Sequence, residues 1–198
     1  MLFPRCIFRL RLGHSSNRIN RLPIPAARND YPEIRDAVRA LVRGFGDAYF
    51  REKDEAREYP EEFVEALTKE GWMAALIPEE FGGAGLGLTE ASIIMEEINR
   101  AGGNSGACHG QMYNMNTLLR HGSDKQKAQY LPQIASGALR LQSMAVTEPT
   151  TGTNTTDLKT RATRHGDTYV VEGQKVWISR IQHSDLMILL ARTTPRDD

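Results

Sequence analysis

The sequence predicts an α+β protein, with an N-terminal all-helical domain followed by a partial antiparallel β-barrel or sandwich. Three observations carry this. Between residues 30 and 137, apolar residues recur at helical spacing, punctuated by capping residues and glycines. From residue 139 the pattern changes to short, partly alternating segments split by turn residues. The length, 198 residues, is enough for one good domain or two small ones.

The helices are read in chain order. Asp30 is a capping residue for a helix through about Phe45, with Ile34, Val38, Leu41 and Val42 on one stripe. Pro60 suits the first turn of the next helix, where Glu61 and Glu62 favour its positive end and Gly71 stops it. A Gly-rich turn, Ile77 to Gly87, leads to a third helix opened by Thr89 and ended by Gly102-Gly103. A fourth runs from about Ser105 to His121. Ser123-x-x-Gln126 is a capping-box pattern for a short fifth, and Pro132 and Gly137 end the region. The strand candidates are Leu139–Val146, Lys159–Arg164, Thr168–Glu172, Lys175–Ser179 and a buried Leu186–Thr193. His165-Gly166-Asp167 suits a tight hairpin turn.

Residues 1–28 read as a separate basic arm. They hold six arginines and no acid, with Ser15, Ser16 and early apolar residues that can line one helix face. That is the composition of a mitochondrial presequence; an untidy basic arm ahead of a bacterial protein has the same composition. Localisation follows this choice, the mitochondrial matrix in the first case and the cytoplasm in the second. The organisation is then arm 1–28, helical domain 29–138 and partial β domain 139–198.

Charge and composition exclude several classes. Lys+Arg 25 and Asp+Glu 25 cancel, so no global basic field attracts nucleic acid. The longest purely apolar runs, such as Leu186–Ala191, fall far short of the roughly 18 residues of a membrane helix. Cys6 and Cys108 make neither a disulfide framework nor a metal cluster, and the five histidines lack metal-ligand spacing. Cys108 beside His109 is not a nucleophile–base pair, because adjacent helix residues do not face each other. Gly82-Gly83-Ala84-Gly85 lacks the Lys-Ser/Thr of a phosphate loop and reads as a structural turn.

The segment Met144-Ala-Val-Thr147-Glu148-Pro149-Thr150-Thr151-Gly152-Thr153-Asn154 is more specific. An apolar strand enters a loop dense in hydroxyls, in which Gly152 can take a positive φ. Such a loop offers donors to an anion or an electron-poor heterocycle. About thirty residues later, Val176-Trp177-Ile178-Ser179 sets an aromatic face beside a hydroxyl. Taken alone, a tryptophan in this setting is more often a core residue than a cofactor platform.

Four motifs occur in order: Gly71-Trp with Ile77-Pro-Glu-Glu-Phe-Gly-Gly-Ala-Gly-Leu86, His121-Gly-Ser-Asp-Lys-Gln-Lys127, Met144–Asn154 and Val171-Glu-Gly-Gln-Lys-Val-Trp-Ile-Ser179. Together the chain resembles the acyl-CoA dehydrogenases over roughly residues 30–194. The resemblance implies FAD as cofactor, an acyl-CoA substrate dehydrogenated at its α,β carbons, and a flavoprotein as electron acceptor. It implies flavin contacts at Met144, Val146, Thr147, Gly152, Thr153, Trp177, Ile178 and Ser179. Thr147 and Ser179 match the hydroxyls near the hydride-accepting nitrogen and its neighbouring carbonyl, and Trp177 matches the aromatic covering the ring face away from substrate. Thr153 falls where the loop approaches substrate. Glu148 matches a structural position. The general base is expected beyond Asp198, in a C-terminal bundle that also forms the homo-oligomer core of full-length relatives, so no catalytic residue is assigned within this chain. An inactive truncated remnant, a non-catalytic binding protein, and a flavin oxidase or monooxygenase of the same family are the alternative readings. Arg180 departs from the family pattern, and its side chain is expected to point to solvent.

Overall fold

The computed structural model describes residues 30–195, and the Arg-rich arm read in 1–28 lies outside them. Among the described residues six α-helices precede four short strands, in accord with the α+β class.

Helix α1 (Pro32–Arg43) begins with proline at its first position, and its cap position is Tyr31 rather than Asp30. It buries Ile34, Val38 and Val42 along the expected stripe. The sequence reading missed α2 (Gly46–Ala56), which buries no residue completely and so carries little periodic signal. Its Tyr49 and Phe50 instead join Phe45 and Phe63 in an aromatic cluster of edge-on and tilted rings. Helix α3 (Glu61–Lys69) buries Phe63, Val64 and Leu67. It stops as read, with Gly71 in the left-handed region at φ 81°.

Helix α4 (Leu88–Arg100) packs on α1 through a buried charge network as well as through Ile94 and Ile98. Glu97 is fully buried and accepts from Arg35 Nη1 at 2.5 Å and from Arg39 Nε and Nη2 at 2.5 and 2.9 Å. The hydrogen bond from Arg39 leads the causes that hold the Glu97 carboxyl below its ordinary range. A buried carboxylate is tolerated when it is this fully paired.

The Gly-rich turn before α4 is structural. Gly82 and Gly85 take φ 83° and 62°. A Cβ on Gly83 would lie 2.1 Å from the Ile77 carbonyl oxygen, so backbone fills the space a side chain would need. Helix α5 (Gly106–His121) and α6 (Asp124–Ala135) follow. The Ser123 box forms: Gln126 N donates to Ser123 Oγ at 3.2 Å, and Ser123 N donates to Gln126 Oε1 at 2.8 Å. Pro132, read as a terminator, lies inside α6. The helix continues past it because Leu131 and Ile134 are buried and Ser136 N donates back to the Pro132 carbonyl at 3.0 Å.

Two apolar clusters result. One joins α1, α3, α4 and the start of α5. The other gathers Ala74, Ile77, Met115, Leu131, Ile134 and Leu141, against which Leu186 and Ile188 pack. The second cluster fixes the β region on the helices.

The β region departs from its expectation in three places. The hairpin β2 (Arg161–His165) and β3 (Thr168–Glu172) is antiparallel as read, with Arg161 opposite Glu172 and Gly166 at φ 61° in the turn. Strand β1 (Ser143–Ala145), shorter than the span read, pairs with β4 (Met187–Leu189) in parallel rather than antiparallel fashion. Residues 146–186 lie between them, far more than a parallel crossover needs. Second, β4 is not a buried strand: Met187 and Leu189 stay about 40% exposed. Among the described residues β1 is its only partner. Third, Lys175–Ser179 is not a strand, because Trp177 and Arg180 take positive φ (61° and 57°) and break the extended path.

Candidate functional site

The site is built around Glu148. The carboxylate is buried, and each of its oxygens is engaged. Oε2 accepts from Lys159 N at 2.6 Å. Oε1 accepts from Thr160 N at 2.8 Å and from Lys175 Nζ at 2.9 Å. Lys175 Nζ also donates to the Val146 carbonyl at 2.9 Å. Burial alone would raise the Glu148 carboxyl, but hydrogen bonds from Thr160, Lys159 and Lys175 outweigh it and hold the group at about 2. Two segments distant in sequence, 159–160 and the one carrying Lys175, are thereby tied to one carboxylate.

This tie sets the 175–179 segment against the end of β1. Val176 N donates to the Thr147 carbonyl at 2.9 Å. Ser143 Oγ donates to the Ser179 carbonyl at 2.9 Å. Thr147 and the Trp177-Ile178-Ser179 stretch thus meet, although the sequence separates them by some thirty residues. Trp177 is not a core residue: its side chain stands out, 89% exposed, from a backbone in the left-handed region. Met144, Val146 and Thr147, in β1 and the residues after it, and Ile178, next to Trp177 in sequence, are half-buried, and Ser179 is exposed.

Gly152 and Thr153 are not drawn into this contact. The Glu148–Thr151 bridge closes the loop, and Gly152 and Thr153 lie exposed beyond it. Gly152 is not among the residues of positive φ, so the conformational freedom expected there is unused. The Thr153 carbonyl accepts from Thr155 N within the same loop at 3.1 Å.

Two residues were undervalued from sequence. Lys175 stands in a quoted motif, but its partner Glu148 lies 27 positions earlier, and nothing local announces the pair. Arg180 does not point to solvent. Its guanidinium lies over Gly106 and Gly110 of α5, where a Cβ on Gly110 would sit 2.7 Å from Nη2. The signal available was the Gly-x-x-x-Gly spacing, which leaves one bare strip on a helix face. Cys108 is buried, and burial pushes its thiol up to about 12, which leaves it inert.

An exposed indole face on a segment hydrogen-bonded to the end of β1, with hydroxyls at Thr147 and Ser179 in the two segments, is chemistry suited to a flat, electron-poor heterocycle that needs stacking on one face and donors at its edge. No helix among the described residues is long and apolar enough to cross a membrane.

The described residues thus form an all-helical domain joined to a β region that presents this loop and indole. Residues 29–138 match the acyl-CoA dehydrogenase N-terminal domain and residues 143–198 match its middle domain, and the chain belongs to the acyl-CoA dehydrogenase family. An acyl-CoA dehydrogenase of Mycobacterium tuberculosis is 34% identical over 166 residues, covering 81% of this chain and 41% of the relative. The mitochondrial isovaleryl-CoA dehydrogenase of Bos taurus is 32% identical over 180 residues, covering 87% of this chain and 42% of the relative. The crystal structure of acyl-CoA dehydrogenase from Geobacillus kaustophilus superposes with a TM-score of 0.77 at 25% identity, over 86% of this chain and 45% of that one. The chain therefore spans less than half the length of the curated relatives it matches.

Proposed function

We propose that this chain carries the helical and flavin-facing portions of an FAD-dependent acyl-CoA dehydrogenase, acting on an acyl-CoA thioester and passing electrons to a flavoprotein acceptor. The observation that supports the reading is the Val176 N to Thr147 carbonyl bond, which sets the segment carrying Trp177 and Ser179 against the end of β1. Met144, Val146, Thr147, Trp177, Ile178 and Ser179 would hold the isoalloxazine ring; Gly152 and Thr153 would approach it from the loop. FAD, when bound, supplies the acceptor for the substrate's β-hydride.

The residues have separable tasks. The Trp177 indole covers one ring face and keeps water from it. The Thr147 and Ser179 hydroxyls are prepositioned donors for charge that develops at the ring edge. Glu148 and Lys175 hold both donors in register and take no part in proton transfer. A carboxylate held at about 2, with both oxygens occupied, is too weak a base to remove the proton α to a thioester.

The test is titration of the purified chain with FAD, followed through flavin fluorescence. Trp177→Ala should weaken binding by about 3- to 10-fold, the value of one aromatic stacking contact. Equal affinity for wild type and variant would overturn the assignment of this surface to the flavin.

A further inference from the structure

A cleft of about 410 Å³ opens beside the Trp177–Ser179 segment, where the α2–α3 connection, the start of α5 and residues 178–183 meet. Arg180 forms one wall. Its backbone is in the left-handed region, and its side chain lies along the bare strip of α5. A Cβ on Gly106 would stand 3.3 Å from Nη1, and one on Gly110 would stand 2.9 Å from Nε. Any larger residue at Gly110 would displace the guanidinium.

The charge of the cleft is unbalanced. Arg57 and Arg180 both line it, and neither has an ion-pair partner among the described residues. Arg180 Nε is buried and donates to nothing there. Glu58 is the one acid on the lining, and its carboxylate turns to Lys53 Nζ at 3.2 Å. The His183 ring is stacked on Tyr59 with centroids 4.2 Å apart. A buried donor without an acceptor is costly, and the planar guanidinium fork matches a carboxylate. The remaining walls include Ile178, Ile181 and the Tyr59 ring, which suit an alkyl chain better than a bare inorganic anion.

We propose that this cleft binds a small alkyl carboxylate, gripped by Arg180 and drawn in by Arg57. Ile178 belongs both to the cleft and to the flavin-facing stretch. The substrate class that follows is a thioester whose acyl chain ends in a carboxylate, and that second step alone rests on the function proposed above.

The experiment uses the ¹⁵N-labelled full chain without flavin. Heteronuclear spectra are recorded while glutarate, glutaramide or inorganic phosphate is added. Glutarate should shift the Arg180 Nε–H and the Gly106 and Gly110 amides saturably, and glutaramide, which lacks the charge, should not. Arg180→Gln should weaken glutarate binding by about tenfold or more, the loss of a charged hydrogen bond. Arg57→Gln, at an exposed position, should weaken it by about threefold or more through lost attraction. Phosphate binding as tightly as glutarate would overturn the carboxylate assignment. So would glutaramide binding equally, or glutarate shifts that survive in both variants. Loss of the FAD titration with glutarate binding intact would defeat the flavin reading and leave this site standing; the reverse result would defeat the site alone.

Discussion

Replacing Glu148 with glutamine tests whether one buried carboxylate organises the β region. In the native protein its oxygens accept from Lys159 N, Thr160 N and Lys175 Nζ at 2.6, 2.8 and 2.9 Å. The side chains of Lys175 and Glu148 are only 8% and 3% exposed. Glutamine keeps the shape but turns an N–H₂ toward one of these donors and leaves the Lys175 ammonium buried without its partner. Breaking a buried pair in this way costs about 3–5 kcal/mol. For a chain of this size that lowers Tm by roughly 10 °C. Urea unfolding at pH 7, followed by circular dichroism, measures the loss directly. A pH series adds an independent check. The folded carboxyl sits at about 2 against an ordinary 4.5, so its stabilisation is full above 4.5 and disappears as pH falls toward 2. Glu148→Gln does not titrate, so the gap between the two proteins should close across that window. Adding Lys175→Met should cost less on the Glu148→Gln background than alone, because the pair is then already broken. A variant within about 1 kcal/mol of wild type at pH 7, with a gap that ignores pH, would refute the reasoning.

Two local perturbations test other parts of the fold. Gly83→Ala should destabilise the chain by more than about 2 kcal/mol, since the new methyl would overlap the Ile77 backbone at 2.1 Å; an unchanged urea midpoint would remove the packing explanation for this turn. Ser123→Ala should cost about 1 kcal/mol by exposing the start of α6, and Ser123→Asp should recover most of it, as read from thermal melts of the three proteins.

What could be read from the sequence was local. The Ser123 and Gln126 box depends on residues three apart, so its chemistry is visible in a window of four. The β2–β3 hairpin needs only alternation and a two-residue turn, and the apolar stripe of α1 needs only its 3.6-residue period. The family motifs at Met144–Asn154 and Val171–Ser179 likewise announced the two halves of the candidate site.

Tertiary structure decided everything that depends on which distant residues meet. The parallel pairing of β1 with β4 joins Ser143 to Met187, and alternation within either strand says nothing of its partner's direction. Helix α2 was missed because it packs through Tyr49 and Phe50 against Phe45 and Phe63, not through a buried stripe of its own. Lys175 has no visible partner in the sequence until the chain folds it onto Glu148. Arg180 reads as a solvent-facing residue until α5 offers the strip at Gly106 and Gly110. Local preference is set by each residue's own backbone and side chain, so it survives in the sequence. Burial and charge pairing are set by neighbours brought together in space, so they exist only once the helices and the β region have packed.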